Sequence, residues 1–263
     1  MWHEKKKGDS SMGLYKKGIA SISFRNHTPE EILLASKKAG LDCVEWGSDF
    51  HAPYNDLESL KKLVTLQDEL GIYCSSYGTY FKIGVSNIEE LKEYISAAKI
   101  LGTDTIRVFC GNKRCDRYPK KEKAFIISEC KRVAEIAQKS NVTVCLERHN
   151  NSYTETIEGA LELMETINSP NFLMYWQPNQ FVPVEENIKY AKMIAQYVKN
   201  IHVFNWSYDD RCSLSEGVDT WVEYLEYFEN DKILLLEFMP DDSLDSLEKE
   251  VVSLCEITKR MER

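Results

Sequence analysis

The chain has 263 residues, of which 43% are hydrophobic, and its 42 acidic and 33 basic side chains give a formal net charge of −9. This length suits one large α/β domain with a sizeable core, and the acidic balance disfavours nucleic acid as a partner. No run approaches the roughly 18 apolar residues of a membrane span, so we expect no membrane association.

The first strand and helix have clear start and stop signals. A strand-like run over 18–24 is followed by Thr28 and Pro29, an N-cap residue and a residue suited to the first helical position. The helix is predicted to end at Ala39, because Gly40 provides a C-terminal stop.

Seven further units of the same kind follow. The predicted strands cover 18–24, 42–46, 72–76, 105–110, 142–147, 172–176, 198–204 and 233–236. The predicted helices cover 29–39, 57–70, 88–101, 120–139, 154–167, 184–197, 221–228 and 244–259. Strict alternation implies parallel strands with right-handed crossovers, and eight units close most naturally into a single (β/α)8 TIM barrel of the α/β class. A doubly wound open sheet is the alternative, but no GxGxxG motif follows the first strand.

The predicted barrel domain spans residues 17–263, because no linker is long enough to divide it. Residues 1–16 lack periodicity and are predicted to form a flexible tail without the apolar region of a signal peptide. The eight cysteines are spread singly, with no CxxC pair. We expect buried free thiols in a cytoplasmic protein rather than a disulfide framework or zinc ribbon.

Three chemically active side chains stand at the ends of three predicted strands. Glu147 ends the fifth strand, His202 lies near the end of the seventh, and Glu237 follows the eighth. Strand ends at the carboxyl face of a barrel meet at one mouth, so these residues should converge. Each alone has a structural interpretation, a helix cap or a hydrogen-bonded histidine. Together they predict a site for a divalent metal ion.

The strand ends resemble those of the sugar isomerase and epimerase superfamily with the xylose-isomerase-like barrel. That superfamily includes ketose 3-epimerases, hydroxypyruvate isomerase and the class IV endonucleases, and the resemblance covers the chain from about Lys17. It implies metal ligands at Glu147, His202 and Glu237 and a fourth ligand at Gln177. The epimerases of the superfamily have an aspartate at that fourth position, so Gln177 departs from the pattern.

The resemblance also implies a chemistry. A metal would polarise the substrate's oxygens and stabilise an enediolate, while Glu147 and Glu237 act as base and acid. Mn²⁺ is the expected cofactor, with Mg²⁺, Co²⁺ and Zn²⁺ as alternatives. Because an amide lacks the charge of a carboxylate, Gln177 should weaken metal binding, and a metal-free site in which it only contacts substrate is the other interpretation.

Five further residues are predicted to bind a sugar or sugar phosphate at the mouth. They are His51, His149, Asn179, Trp176 and Trp206. For the histidines the alternative is structure, an exposed loop residue or a group that orients a ligand. For the tryptophans the alternative is packing that closes the barrel.

The expected function is therefore that of a metal-dependent isomerase, either a ketose epimerase or an aldose–ketose isomerase. An inosose-type dehydratase and a sugar-binding barrel without catalysis are the alternatives. A class IV endonuclease is disfavoured, since its trinuclear zinc site uses several histidines and the chain has five in all. Substrate phosphorylation and assembly into a homo-oligomer stay open. Inside the barrel, Glu45 and Arg107 are expected to form a buried ion pair.

Overall fold

The computed structural model describes residues 15–262, in which eight parallel strands close into a barrel. The barrel strands are Lys16–Ala20, Cys43–Gly47, Tyr73–Ile83, Thr105–Cys110, Thr143–Glu147, Phe172–Trp176, Val198–Val203 and Ile233–Leu236. They follow one another around the barrel in chain order, and the first strand pairs with the eighth. The predicted (β/α)8 barrel is confirmed.

The barrel strands alternate with eight α-helices. These are α1 Pro29–Ala39, α2 Leu57–Leu70, α3 Glu90–Ile100, α4 Lys120–Ser140, α5 Ile157–Ile167, α6 Val184–Ile194, α7 Val218–Leu225 and α8 Leu244–Met261. Helix α1 begins with a capping box between Thr28 and Glu31 and ends at Gly40, whose φ of 79° is left-handed. Across the described residues, no helix combines the length and apolarity required to cross a membrane.

Helix bounds differ from the predicted ones by up to three residues, and three larger local features also differ from the sequence-based expectation. The first strand ends at Ala20, and the predicted remainder, Ser21–Phe24, is a 3₁₀ helix. The third strand continues to Ile83, past a register shift against the fourth. A two-stranded hairpin, Asn205–Ser207 with Asp210–Cys212, follows the seventh strand. Each lies at the mouth, where the loops rather than the barrel set the conformation.

The predicted tail lies outside the described residues except for its last two. Lys16 begins the first strand, and Tyr15 is buried, with its hydroxyl donating to Asn230. All eight cysteines are free and six of them are buried, as predicted for small apolar thiols.

Side chains alternate between the inside and the outside of the barrel along each strand. Those that face the helices form the main core, as Leu146 and Trp176 do. Those that face inward form a second, small cluster of Cys43, Cys145, Tyr175 and Leu235. Residues two positions beyond an inward-facing residue also face inward, and this rule determines which side chains reach the mouth.

A buried ion pair lies inside the barrel, as predicted. Arg107 on the fourth strand donates from Nε to Glu45 Oε1 on the second strand at 2.8 Å. Ser76 donates to the other carboxylate oxygen of Glu45 at 2.9 Å. A Cβ at Gly78 would lie 2.7 Å from Arg107 Nη2 and 2.8 Å from Glu45 Oε1, so the missing side chain is what makes room for the pair.

We predict that Gly78→Ala destabilises the protein by about 1–3 kcal/mol, because the new methyl group overlaps both members of a buried ion pair. Urea unfolding followed by circular dichroism measures this change. The exposed Ser96→Ala on α3 serves as the control and should change the free energy of unfolding by less than about 0.5 kcal/mol. Equal effects of the two substitutions would contradict the prediction.

Candidate active site

A cavity of about 310 Å³ opens at the carboxyl ends of the barrel strands. Its polar lining includes Arg107, Glu147, Gln177 and Glu237, which come from four different strands or strand exits. Its aromatic lining consists of Tyr80, Phe109, Phe204, Trp206 and Phe238. Apolar walls around a few convergent polar groups are typical of a small-molecule site.

The structure brings together the three residues expected to bind a metal. One ligand atom each from Glu147, His202 and Glu237 lies within 4.8 Å of the others. His202 Nδ1 is 3.5 Å from Glu237 Oε2 and 3.9 Å from Glu147 Oε1. All three side chains are buried, so their charges are not screened by water.

Gln177 extends this cluster, and its hydrogen bonds fix which way its amide points. Nε2 donates to Glu147 Oε1 at 3.0 Å and to the carbonyl of Arg148 at 2.9 Å. Both amide hydrogens are therefore used, and Oε1 is left facing His202 Nδ1 at 3.1 Å. The amide oxygen thus points at the same ring nitrogen as the Glu237 carboxylate does.

Arg107 contributes more to this site than the predicted ion pair. Besides its bond to Glu45, it donates from Nη1 to Glu147 Oε2, so one guanidinium joins two carboxylates. Three glutamates against one arginine leave a formal charge of −2 when His202 is neutral. His202 Nε2 is 3.3 Å from Glu45 Oε1, but it is not directed as a hydrogen bond.

The crowded carboxylates shift the pKa values of one another and of His202. Burial alone would lower the pKa of His202, but Glu237 and then Glu45 raise it to about 9. Burial raises the pKa of Glu237, and the nearby Glu147 adds to the effect. The pKa of Glu45 is lowered despite its burial, because Arg107 and His202 both face it.

This donor set fits a divalent metal ion. Two carboxylates, an imidazole and an amide oxygen are suitable ligands, and two positive charges would balance the formal charge of −2. The amide of Gln177 already presents its oxygen rather than its nitrogen to the cluster. Glu147, His202 and Glu237 can therefore hold such an ion, with Gln177 Oε1 beside them.

Three of the five predicted substrate-binding residues line the cavity, namely His149, Asn179 and Trp206. His149 is exposed, and its Nδ1 donates to the carbonyl of Asn150 at 2.7 Å, which leaves Nε2 without a hydrogen in the neutral ring. Trp206 packs edge-to-face against Phe238 at 5.5 Å.

The structure does not bring His51 or Trp176 to the cavity. His51 is buried, with its ring nitrogens 3.1 Å from Ser21 Oγ and 3.2 Å from the carbonyl of His27, and burial lowers its pKa. Trp176 is fully buried outside the barrel, where it packs between Trp221, Tyr224 and Phe228. The reason is alternation: Gln177 faces inward, so the residue before it faces the helices.

Several lining residues could not be recognised as such from the sequence. Arg25 comes from the loop after the first strand and donates to the Tyr80 hydroxyl at 2.8 Å. Arg148 is buried with no carboxylate partner among residues 15–262; it donates to the carbonyl of Gln177 at 3.1 Å, and its guanidinium lies 3.9 Å from the centre of the Tyr190 ring. Arg148 directly follows the inward-facing Glu147, so alternation points its side chain away from the barrel axis and the sequence does not predict that it lines the cavity.

The backbone after the eighth strand is held in an unusual conformation. Phe238 has a φ of 57°, the left-handed region that bulky side chains rarely adopt. Its amide donates to Ser23 Oγ at 2.9 Å, and the amide of Glu237 donates to the carbonyl of Val203 at 2.9 Å. These bonds fix the point from which the Glu237 side chain enters the cavity.

The sequence profile of the xylose isomerase-like TIM barrel family matches residues 33–254, well over half of the chain. The chain belongs to this family. The match covers the strands that carry all the candidate metal ligands.

Solved structures of this family's fold superpose on nearly the whole chain. The probable 3-DHS dehydratase AsbF of Bacillus anthracis, involved in petrobactin synthesis, is 19% identical, with a TM-score of 0.79 over 91% of this chain and 98% of its own. D-psicose 3-epimerase of Clostridium cellulolyticum H10 is 13% identical, with a TM-score of 0.67 over 93% and 98%. The IolI protein with a bound zinc atom is 18% identical, with a TM-score of 0.71 over 92% and 96%. At these identities the similarity establishes the fold.

A curated relative is similar in sequence. A 3-dehydroshikimate dehydratase of Bacillus anthracis is 26% identical over 171 residues, which is 57% of this chain and 61% of the relative. The chain thus spans about three fifths of the length of this relative.

The two tryptophans predicted to bind substrate should respond differently to the same substitution. Trp176→Phe should lower the free energy of unfolding by about 2 kcal/mol without changing KM, because it shrinks a packed side chain outside the barrel. Trp206→Phe should weaken substrate binding and raise KM about 2- to 10-fold, because one aromatic contact is worth about 0.5–1.5 kcal/mol. Steady-state kinetics and urea unfolding of both variants test this pair. A rise in KM for Trp176→Phe alone would contradict the structure.

The protonation of His202 predicts how metal binding depends on pH. With a pKa of about 9, the ring is charged at neutral pH, and a metal must displace a proton to use Nδ1. The affinity for Mn²⁺ should therefore rise with pH, roughly tenfold per unit between about pH 6 and 8. Isothermal titration calorimetry in buffers of different ionisation enthalpy would report the released proton. A dissociation constant that is constant over this range would refute the prediction.

Proposed function

We propose that this protein is a divalent-metal-dependent enzyme that moves a proton at the carbon next to a carbonyl in a small polyhydroxylated substrate. The observation that supports this most is the convergence of Glu147, His202 and Glu237 at one aromatic-walled cavity. A carboxylate next to a bound metal ion is suited to removing such a proton, and its removal turns the substrate into an enediolate. The substrate is a sugar, a sugar phosphate or a related cyclic keto polyol, and the expected ion is Mn²⁺.

The chain's own residues then have separate tasks. The bound ion would supply Lewis-acid polarisation of the substrate's oxygens. Glu237 has a raised pKa, which suits a general base, and it lies in the cavity lining. Arg107 holds Glu147 in place, and Phe109 and Trp206 provide apolar surface against the carbon side of a sugar ring.

Dehydration is a second candidate, and one comparison favours it over isomerisation. The curated relative is named as a 3-dehydroshikimate dehydratase, and 3-dehydroshikimate is therefore a candidate substrate. His149 suits such a substrate, because its side chain lines the cavity and its Nε2, which carries no hydrogen in the neutral ring, can accept a hydrogen bond from a substrate hydroxyl. Both candidates begin with the same proton abstraction.

We further propose that the enzyme works in the cytoplasm on free small molecules. Its eight cysteines are all free, as suits a reducing compartment. The absence of a nucleic-acid partner remains a prediction, supported by the acidic net charge of −9. Assembly into a homo-oligomer remains open.

Proton NMR in D₂O tests the proposed function directly. The protein with Mn²⁺ should introduce deuterium next to the carbonyl of at least one compound in a panel of ketoses, ketose phosphates and 3-dehydroshikimate. Glu237→Gln should abolish the exchange, and Trp176→Phe, whose change lies outside the cavity, should retain it. Chelation with EDTA should stop the reaction, and re-addition of Mn²⁺ should restore it.

The opposite outcome would favour a different function. If no compound exchanges, and calorimetry detects no binding of Mn²⁺ to the purified protein, the proposed enzyme is wrong. A sugar-binding barrel would then account better for the cavity, and binding of the same panel without turnover would identify it.

A further inference from the structure

We propose that the two glutamates of the site have unequal roles: Glu147 is a fixed anchor, Glu237 alone moves the proton, and the reaction therefore takes place on one face of the substrate. This inference rests on the proposed function and narrows it to a one-base reaction. It follows from the hydrogen bonding of the two carboxylates: Glu147 accepts two hydrogen bonds, whereas Glu237 accepts none within residues 15–262.

Both oxygens of Glu147 are already occupied by donors. Arg107 donates to Oε2, and Gln177 Nε2 donates to Oε1 at 3.0 Å. Neither donor is free to leave, because Arg107 is also bonded to Glu45, and Gln177 donates its second hydrogen to the carbonyl of Arg148. Each oxygen keeps a second lone pair, which a metal ion can use, but a proton taken up there would cancel the negative charge with which the Arg107 guanidinium pairs.

Glu237 is in the reverse situation. Within residues 15–262 its carboxylate accepts no hydrogen bond, and the nearest basic side chain is His202, whose Nδ1 lies 3.5 Å away. Its backbone is fixed, since its own amide donates to Val203 and the next amide donates to Ser23. The side chain lines the cavity. It is thus a positioned carboxylate with lone pairs available to a substrate.

Gln177 is the origin of this difference. An amide has hydrogens to donate, whereas a carboxylate at position 177 would present only acceptors to Glu147 Oε1 and to the Arg148 carbonyl. The amide therefore does two things at once: it holds Glu147 by a hydrogen bond and directs its own oxygen towards His202. Gln177 is a positioning residue that determines the type of reaction.

The consequence for the chemistry is specific. In an isomerisation, the C–H bond next to the carbonyl breaks and its electron pair forms the C=C bond of the enediolate. The hydroxyl proton of that carbon then passes to the oxygen of the former carbonyl, and Glu237 returns the first proton to the neighbouring carbon on the same face. In a dehydration, Glu237 removes the same proton, the electron pair of the C–H bond forms the new C=C bond as the C–O bond at the β-carbon breaks, and Glu237 gives the proton to the hydroxyl, which leaves as water. Epimerisation requires a second group to return the proton from the opposite face, and Glu147 is not available for that step.

The stereochemistry of exchange in the wild-type protein is the first test. The reaction is run in D₂O with Mn²⁺ on whichever panel compound exchanges, and the epimer is measured by NMR and chiral chromatography. We expect deuterium in the substrate or product, with the epimer absent even after many exchange events per molecule. Accumulation of the epimer at a rate comparable to exchange would overturn the inference and leave the proposed function standing. Absence of exchange with every compound would overturn both.

A matched pair of variants is the second test. Glu147→Gln and Glu237→Gln each remove one negative charge and one ligand, so both are compared at Mn²⁺ concentrations shown by calorimetry to be saturating. We expect Glu237→Gln to lower the exchange rate roughly 1,000-fold and Glu147→Gln to lower it about tenfold or less. Equal losses would overturn the assignment.

A variant of Gln177 tests its role and does not depend on the folding of Glu147→Gln. Gln177→Met keeps the length of the side chain but removes both donors, which should release Glu147 and make the epimer detectable. Gln180→Met is the control, because Gln180 lines the same cavity on the same segment without a hydrogen bond to Glu147. An epimer fraction that is the same in both variants would overturn the role of Gln177.

Discussion

The site depends on one electrostatic constraint, the gathering of three buried carboxylates around a single guanidinium. Arg107 binds Glu45 and Glu147 together, which fixes two strands that are not adjacent in the barrel. Buried charges are costly unless they are paired, so the position of every neighbouring group must be compatible with this pair. Gly78 leaves space for it, Ser76 satisfies the remaining oxygen of Glu45, and His202 gains a proton because of the negative charge that is left over.

The same constraint explains why the chemistry lies at the mouth rather than deeper in the barrel. Below the charged layer lie Cys43, Cys145, Tyr175 and Leu235, which are all fully buried. Each of the three glutamates stands two positions beyond a member of this apolar layer: Glu45 after Cys43, Glu147 after Cys145, and Glu237 after Leu235. The strand alternation that places these apolar side chains in the lower layer therefore also places the carboxylates in the layer above it.

Alternation also explains how much could be predicted from the sequence. The barrel and the convergence of Glu147, His202 and Glu237 were predictable, because short apolar runs and helix caps are local signals and strand ends of a barrel share one face. The expectation that both Trp176 and Gln177 face the site was inconsistent with alternation, and the structure shows Trp176 outside. The position of His51, the hairpin after the seventh strand and the second bond of Arg107 depend on contacts between distant segments, for which a single sequence has no signal.

Gln177 is the residue at which the sequence-based expectation changes most. From its chemistry alone, an amide where the resemblance implies a carboxylate indicates weaker metal binding or a lost site. In the structure the amide is fully engaged, with both hydrogens donated and its oxygen turned towards His202, which is not what a site decaying by chance would show. The charge count leads to the same conclusion. With Arg107 present and His202 neutral, as a metal ligand must be, a fourth carboxylate would leave −3 around the cavity, whereas the amide leaves −2, the charge that one divalent ion neutralises. The positive charge of Arg107 inside the barrel and the neutral amide of Gln177 at its rim therefore act together, since they keep the formal charge of the site at the value that a divalent ion balances.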